Sequence, residues 1–511
     1  MVGMERKTIL IIGGGVSGLS AGIYAEQSGF HAIILEKNPS VGGLCTGWYR
    51  KGQYIDGCIH WLTGTNKNTE LYRLWKEVGA IENDNDIIQL DGWGVFNYHG
   101  VEVPFYADTF KAEQRWLEIS PADKKEIKHF FKMVRDIASI DLPLDKPVSM
   151  MNLWTLLKFG FKVIDVWPSY LLTMKMSCER YAKRFKSPAL RWAIKNAQPG
   201  AGNLYSMLFS YANITFGNGG IPRGGSKPMV ERMKDRFLSL GGTLLLNQEV
   251  SHVLIEHSTA VGVELKDGKK IKSDYVVSAL DSNYALHHLL LGQYNMPKLE
   301  KRFKEMKKHP APSCCLLAFR GKKSDIPTPY SFECEPFYVG GTGIEHLTIR
   351  NYGYDEETYV KDDKCLYMVL IDQYSENYKY WSKLYKENPI AYREKKNALA
   401  MMVRGKILAK FPQFEGELEI LDVCTPKTLN RYTNASRGTY MGFLFTKSAG
   451  RLTSNGFVKG LKNFIMAGQY MQCPGGLPLA MVSGRFAIQW IAKKEKLSAL
   501  AISSKLSTHK N

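Results

Sequence analysis

The chain is 511 residues long, with 68 Lys plus Arg against 49 Asp plus Glu and a formal net charge of +19. At about 100 to 200 residues per domain this length implies several structural units and excludes a small scaffold that needs staples. A composition of 44% hydrophobic and 23% charged residues excludes collagenous and disordered classes, and nine Cys without a C-x-x-C pair argue against both a disulfide framework and a zinc site.

Thr8 to Ile12 is a short apolar, β-branched run, which predicts a central parallel strand. Gly13, Gly15 and Gly18 follow it in G-x-G-x-x-G spacing. The first permits a tight turn, the second lets a pyrophosphate approach the backbone, and the third allows a helix to pack closely on the strand. A helix is expected from Leu19 to Ser28 and a second strand from His31 to Leu35, ending in Glu36. A carboxylate about 20 residues past the glycines accepts hydrogen bonds from a ribose. Strand, glycines, helix, strand and acid together predict a dinucleotide-binding unit. The apolar run before Gly13 is too short for a signal-peptide core, and no window of about 18 charge-free apolar residues occurs, so no membrane span is expected.

Farther along, positions 151–240 hold fourteen Lys or Arg against four acids, more than half of the net charge. Within them, Trp154 to Met176 is apolar apart from a polar stripe at helical spacing, divided by Pro168 and followed by Arg180, Lys183, Arg184 and Lys186. Aromatics beside a basic cluster suit the headgroup boundary of an anionic membrane; an internal helix with a solvated basic continuation is the plainer alternative. Gly340-Gly341-Thr342-Gly343 lacks the second glycine spacing and reads as a loop. The basic patch from Lys301 to Lys308 reads as a solvated helix face, and the lysine-rich tail as frayed. No nucleic-acid module is present, so nucleic acid is not an expected partner.

Glu36-Lys37-Asn38-Pro39-Ser40-Val41-Gly42-Gly43, continuing through Arg50 to Asp56-Gly57, resembles the second FAD motif of glutathione-reductase-like flavoproteins. More narrowly, the chain resembles the phytoene desaturase, carotenoid isomerase and retinol saturase family of FAD-dependent oxidoreductases. Ile221-Pro222-Arg223-Gly224-Gly225-Ser226, Gly241 to Val250, and Ala279-Leu280-Asp281 support that resemblance in the middle of the chain. Asn463 to Gln469, Pro474-Gly475-Gly476-Leu477-Pro478 and Ser483-Gly484 support it at the end. The chain departs from the pattern at Leu44, where many relatives place an Arg, and at Cys58, where the saturase-like pattern has a Gly.

The resemblance implies an α/β fold: a glutathione-reductase-like (Rossmann) FAD-binding domain, discontinuous over 1–105, 222–310 and 416–495, with an inserted α+β substrate domain over 106–221 and 311–415 and a tail at 496–511. Non-covalent FAD would be held by Gly13, Gly15, Gly18, Glu36, Lys37, Gly42, Gly43, Val250, Gly468, Gly476 and Leu477. His60 lies in the loop that feeds the flavin site and is the single catalytic candidate: a neutral imidazole there could move a proton or position the substrate, whereas a purely buried histidine is the plainer alternative. Arg50 and Asp56 are expected to hold the loop, and Cys58, Cys314 and Cys315 to be small buried hydrophobes. The implied activity is desaturation, saturation or isomerisation of carbon-carbon double bonds in a long lipophilic carotenoid, retinoid or related polyene. NAD(P)H, oxygen or a quinone would serve as transient redox partner, no metal is involved, and the expected location is cytoplasmic, with peripheral contact at the inner membrane surface. An FAD-dependent amine oxidase and a flavin-free prenyl-lipid carrier of the Rab escort type are the alternatives.

Overall fold

A computed structural model describes residues 6–138, 143–163, 172–198, 202–446 and 454–497. The apolar run Thr8–Ile12 is the middle strand of a five-stranded sheet, in the order Phe464–Met466, Tyr275–Ser278, Thr8–Ile12, His31–Leu35, Thr243–Leu245. Every pairing in it is parallel. Ile9, Leu10, Ile11, Val276, Val277 and Phe464 are fully buried, as expected of a sheet covered on both faces. The first helix, Val16–Gln27, starts three residues earlier than expected, directly after the glycines. It packs between two others, Ser226–Ser239 and Leu477–Lys494, at glycine contacts. A Cβ on Gly484 would lie 2.3 Å from the Ser17 carbonyl oxygen, and one on Gly22 would lie 2.7 Å from the Phe237 ring.

A larger eight-stranded sheet runs in the order Glu419–Cys424, Ser313–Lys322, Lys364–Gln373, Thr342–Asn351, Tyr330–Val339, Gly92–Tyr98, Val101–Tyr106, with Val360–Lys361 beside Lys364–Gln373. Gly340-Gly341 is the two-residue connection of a hairpin in this sheet, a loop as expected. Two expected boundaries move. Gly92–Tyr98, which falls before the boundary at 105, pairs with Tyr330–Val339, and Val101–Tyr106, which spans that boundary, pairs with Gly92–Tyr98, so both belong to the large sheet. Glu419–Cys424, which falls after the boundary at 416, pairs with Ser313–Lys322. Nothing in these short strands marks which sheet they complete, because partner choice is a long-range matter.

One face of the large sheet is buried. Ile349, Val369 and Ile371 form a core with Leu399, Val403 and Ile407 of the long helix Pro389–Lys410. A third cluster, built on Trp93, Phe105, Trp116, Phe130 and Tyr211, joins the sheet edge to helices Thr109–Ile119, Lys124–Ala138, Pro188–Asn196 and Leu204–Thr215.

Candidate active site

The glycines at the carboxyl end of the central strand are of two kinds. Gly13 takes φ +102°, and a Cβ on Gly18 would lie 1.9 Å from the Gly13 carbonyl oxygen, so both are required by the protein's own packing. Gly15 and Gly43 are different. A Cβ on Gly15 would come no nearer than 3.7 Å to the Gly42 carbonyl, and one on Gly43 no nearer than 3.5 Å to Gly15 Cα. These two face space that protein does not fill. Gly42, at φ +115°, donates to the Gly14 carbonyl at 2.9 Å and so lays the second glycine pair against the first.

Gly15 caps Val16–Gln27 and Gly476 caps Leu477–Lys494, and neither helix has a side-chain cap. Their first amides therefore remain available to a ligand, and the dipoles favour an anion or an electron-rich ring edge. Ser17 Oγ lies 3.3 Å from Ser483 Oγ, so the two N-terminal turns stand side by side. Gly468 donates to Ser483 Oγ at 2.7 Å. A Cβ on Gly475 would lie 2.4 Å from Gly442, whereas one on Gly476 would come no nearer than 3.8 Å to Met441. This pair repeats the same division into a packed glycine and an open one. Leu477 then opens the helix.

Glu36 is buried, and its carboxylate accepts from Gly14 N–H at 2.8 Å, Asn38 N–H at 2.9 Å and Asn38 Nδ2 at 2.7 Å. It thus ties the glycine loop to the second strand while keeping acceptor capacity, since an ionised carboxylate has about four lone-pair sites. Lys37 turns away. Its Nζ donates to Asn434 Oδ1 at 2.9 Å and to the Arg431 carbonyl at 3.3 Å, and burial lowers its pKa. Val250 is buried at the start of Val250–Glu256. The open glycines, the two uncapped helix ends and the Glu36 carboxylate form a cradle whose chemistry fits a dinucleotide.

Asp56 is the hub of the next loop. Fully buried, it accepts from Cys58 and Ile59 N–H at 2.9 and 3.2 Å, from Ser226 N–H at 2.7 Å and from the Ser226 and Tyr359 hydroxyls. Burial raises its pKa against the pull of these donors. Arg50 pairs with Asp422 at 2.8 Å. Both residues hold structure, as expected, and Asp56 sets the position of His60.

His60, Arg350, Tyr352 and Tyr354 line a small cavity whose apolar wall includes Leu90 and Ile221. Burial and the Arg350 guanidinium hold the His60 pKa well below its ordinary value, so the imidazole is neutral. The large sheet brings further groups to the same side. Arg350 pairs with Met368, and Asp372 pairs with Cys314, so Arg350, Met368, Asp372 and Cys314 share one face by the two-residue period of a strand. Arg350, Leu370 and Asp372 stay half-buried in mid-sheet while Ile349, Val369 and Ile371 are buried on the other face. Burial pushes the Asp372 pKa up to about 7, with Tyr440 beside it acting the other way. Asp372 Oδ1 and the hydroxyls of Tyr352 and Tyr374 are buried and have no hydrogen-bond partner among the described residues. Tyr440 is two residues from Gly442, which packs on Gly475, and this contact carries the Asp372 end of the face toward the second uncapped helix. Across the face, the Trp192 ring lies 5.9 Å from His346.

Residues 16–323 match the family described as flavin-containing amine oxidoreductase, well over half of the chain. The chain belongs to that family. It is an FAD-dependent oxidoreductase. The chain is 21% identical over 484 residues to human all-trans-retinol 13,14-reductase, covering 86% of this chain and 77% of the other. It is 25% identical over 306 residues to a lycopene-forming phytoene desaturase from a Paracoccus species, covering 58% and 60%. The kinship read from the motifs is therefore upheld. In fold, the flavoprotein is similar to an oxidoreductase from Methanosarcina mazei, with TM-score 0.59 at 16% identity over 94% of this chain and 100% of that one. This is the mixed α/β fold of FAD-dependent amine oxidases.

Arg350, Tyr352, Asp372 and Tyr440 were not found from sequence. A signal existed: Asp372 interrupts the apolar run Cys365–Ile371, and a charge inside such a strand marks either an edge or a cavity. Cys314 and Cys315 are buried with raised pKa values, as expected of inert thiols. No group of three metal-ligating side chains occurs among the described residues.

The helix Leu153–Val163 packs little of itself: Leu153, Trp154 and Phe161 are 70, 75 and 71% exposed. The rest of the expected segment at 164–171, with Asp165, Trp167, Pro168 and Tyr170, lies outside the described residues, as does the tail from 498. No described helix is long and apolar enough to cross a membrane.

Proposed function

We propose that this flavoprotein adds or removes hydrogen across a carbon-carbon double bond of a long polyene lipid, or shifts its geometry, at the half-buried face of the large sheet. The observation that carries the reading is Asp372. A carboxyl with its pKa pushed up to about 7, beside Tyr440, can give or take a proton at neutral pH. Bound FAD supplies hydride transfer to or from carbon. The chain's own residues do the rest: the sheet face and His60 orient the polyene, the aromatic helices exclude water, and Asp372 exchanges the proton on the second carbon. Neutral His60 accepts a hydrogen bond or a proton but has none to spare as an acid. The similarity to a retinol reductase and a phytoene desaturase supports this substrate class. An amine oxidase would bind an ammonium ion, which the cation at Arg350 repels.

In the same reading, the parallel five-stranded sheet is the Rossmann-type, discontinuous FAD domain, and the eight-stranded sheet with its helices is the substrate domain. FAD is contacted through Gly13, Gly15, Gly18, Glu36, Gly42, Gly43, Val250, Gly468, Gly476 and Leu477, while Lys37 braces the loop at 431–434. The exposed apolar helix Leu153–Val163, with Arg180, Lys183, Arg184 and Lys186 beyond it, rests on the surface of an anionic membrane, from which the substrate is drawn. NAD(P)H, oxygen or a quinone reaches the flavin only transiently.

The test is anaerobic mixing of the FAD-loaded protein, oxidised or reduced, with extracted polyene lipids. A change in flavin absorbance, with a lipid altered by the mass of two hydrogens, is expected for desaturation or saturation; an isomer of equal mass is expected for isomerisation. Oxidation of amines with every polyene left intact would overturn the reading.

A further inference from the structure

The second glycine loop and the loop of His60 are joined by a short hairpin, Gly47–Arg50 paired with Gln53–Asp56. Its register sets Gly47 against Asp56, and beyond the strands Gly57 N–H still donates to the Thr46 carbonyl at 2.8 Å. One step further in the same register, Cys45 stands opposite Cys58. Opposed residues of an antiparallel pair lie about 4.5 to 5.5 Å apart at Cα. A disulfide spans about 4.4 to 6.8 Å between Cα atoms, so the backbone spacing suits a bridge.

The side chains agree with the backbone. Both thiols are free, and they hydrogen-bond to each other; that contact, ahead of burial, holds the Cys45 pKa well above its ordinary value. Cys45 is buried, with its Sγ 3.8 Å from the Ser226 carbonyl oxygen. Cys58 is half-buried, and its N–H donates to Asp56 Oδ1 at 2.9 Å. Ile59 N–H donates to Ser226 Oγ at 3.0 Å, so Asp56 and Ser226 clamp the pair from both sides. Cys58 is also where the chain departs from the glycine of the saturase-like pattern. Expected from sequence to be a small buried hydrophobe, it instead has a thiol partner.

We propose that Cys45 and Cys58 are a reversible disulfide site, which a small-molecule disulfide closes. Cys58, the more exposed thiol, attacks one sulfur of the reagent; the reagent's S–S bond breaks, and the released thiol takes the Cys58 proton. Cys45 then attacks the Cys58 sulfur, and the second reagent thiol leaves with the Cys45 proton. Two protein thiols have lost two electrons, one reagent disulfide has become two thiols, and one S–S bond has formed in the protein. The bridge ties the loop of Gly42 and Gly43 to the loop of Asp56 and His60, whichever bond the flavin acts on. The joining of these loops then follows the thiol–disulfide balance of the surroundings.

The test equilibrates the FAD-loaded protein in buffers of oxidised and reduced glutathione, then quenches, denatures and alkylates it. Tryptic cleavage at Arg50 and Lys51 separates the two cysteines for peptide mapping by mass. A peptide of 38–50 linked to 52–67, lighter by two hydrogens than the two apart, is expected to grow with the oxidised share and to vanish on adding dithiothreitol. Cys45→Ser should halt the reaction with glutathione held on Cys58, and Cys58→Ser should leave Cys45 unmodified. Both cysteines alkylated at every buffer ratio overturn the proposal. A bridge from either of them to any other cysteine overturns it as well. The map of the unaltered protein needs no substitution, so a variant that fails to fold does not blunt the test.

Discussion

Burial of Asp372 couples its protonation to stability and, in the proposed reaction, to turnover. Its pKa is about 7 in the folded chain, against an ordinary 3.8. Between those values the unfolded chain has lost the proton and the folded chain keeps it, so stability falls as pH rises through this window and levels off above pH 7. The slope contributed is at most about 1.4 kcal/mol per pH unit. Asp372→Asn, measured by denaturant unfolding from pH 4 to pH 8, should remove this slope and, in turnover assays, the ionisation near pH 7. An unchanged pH profile would make Asp372 a bystander. Glu36→Ala leaves Gly14 N–H and Asn38 N–H without their acceptor and removes the proposed ribose acceptor; FAD should dissociate about ten-fold or more readily, read by flavin fluorescence titration. His60→Ala should keep bound flavin and lose turnover; normal turnover would leave His60 a wall of the cavity. The contrast with the sequence reading is physical. The turn from Gly13 to Glu36 was legible because strand, glycine turn, helix and second strand all lie within one local unit. Arg350 and Asp372 come together only through the register of Thr342–Asn351 on Lys364–Gln373, which no local pattern encodes.

Among the elements, the two uncapped helices depend on glycines of opposite kinds. Gly18→Ala drives a Cβ into a backbone carbonyl and should destabilise the fold by about 1 to 3 kcal/mol, seen as a lower Tm with or without FAD. Gly15→Ala meets no protein atom within 3.7 Å, so it should leave the apoprotein's Tm nearly unchanged and weaken FAD binding. The motif already gives the two glycines different tasks, a ligand's approach at Gly15 and close packing at Gly18, and the distances to neighbouring atoms follow the same division. The helix Leu153–Val163 offers a third test. Replacing Trp154 and Phe161 with Ser should abolish co-sedimentation with phosphatidylserine vesicles while the melting temperature stays within about 1 °C, because neither side chain packs on the core. Binding that persists after the substitution, or that ignores salt, would remove the membrane contact.

At the scale of the molecule, two sheets divide the work. The parallel sheet carries the cradle at the carboxyl ends of its strands, the usual place for a ligand in an open α/β sheet. The mixed sheet meets residues 60–61 at Arg350, which shares a cavity with His60 and lies over the Trp61 ring. Its strands come from three separate stretches, 92–106, 313–373 and 419–424, which is why segment boundaries read from motifs missed two of its edges. Charge does not follow that division: of the basic residues at 151–240, Lys227, Arg232, Lys234 and Arg236 lie on helix Ser226–Ser239, which packs against the first helix of the parallel sheet.

The outer strand of the parallel sheet is Phe464–Met466, and the second uncapped helix begins at Leu477, whereas the glycine loop is complete by residue 18. During synthesis the nucleotide loop therefore leaves the ribosome more than four hundred residues before the elements that complete its pocket. The early strands must wait with an unpaired edge, exposed to wrong pairing, until the late ones arrive. Flavin capture is thus expected to wait for residues 464–494, and a growing chain stalled before residue 464 should bind chaperones but not FAD.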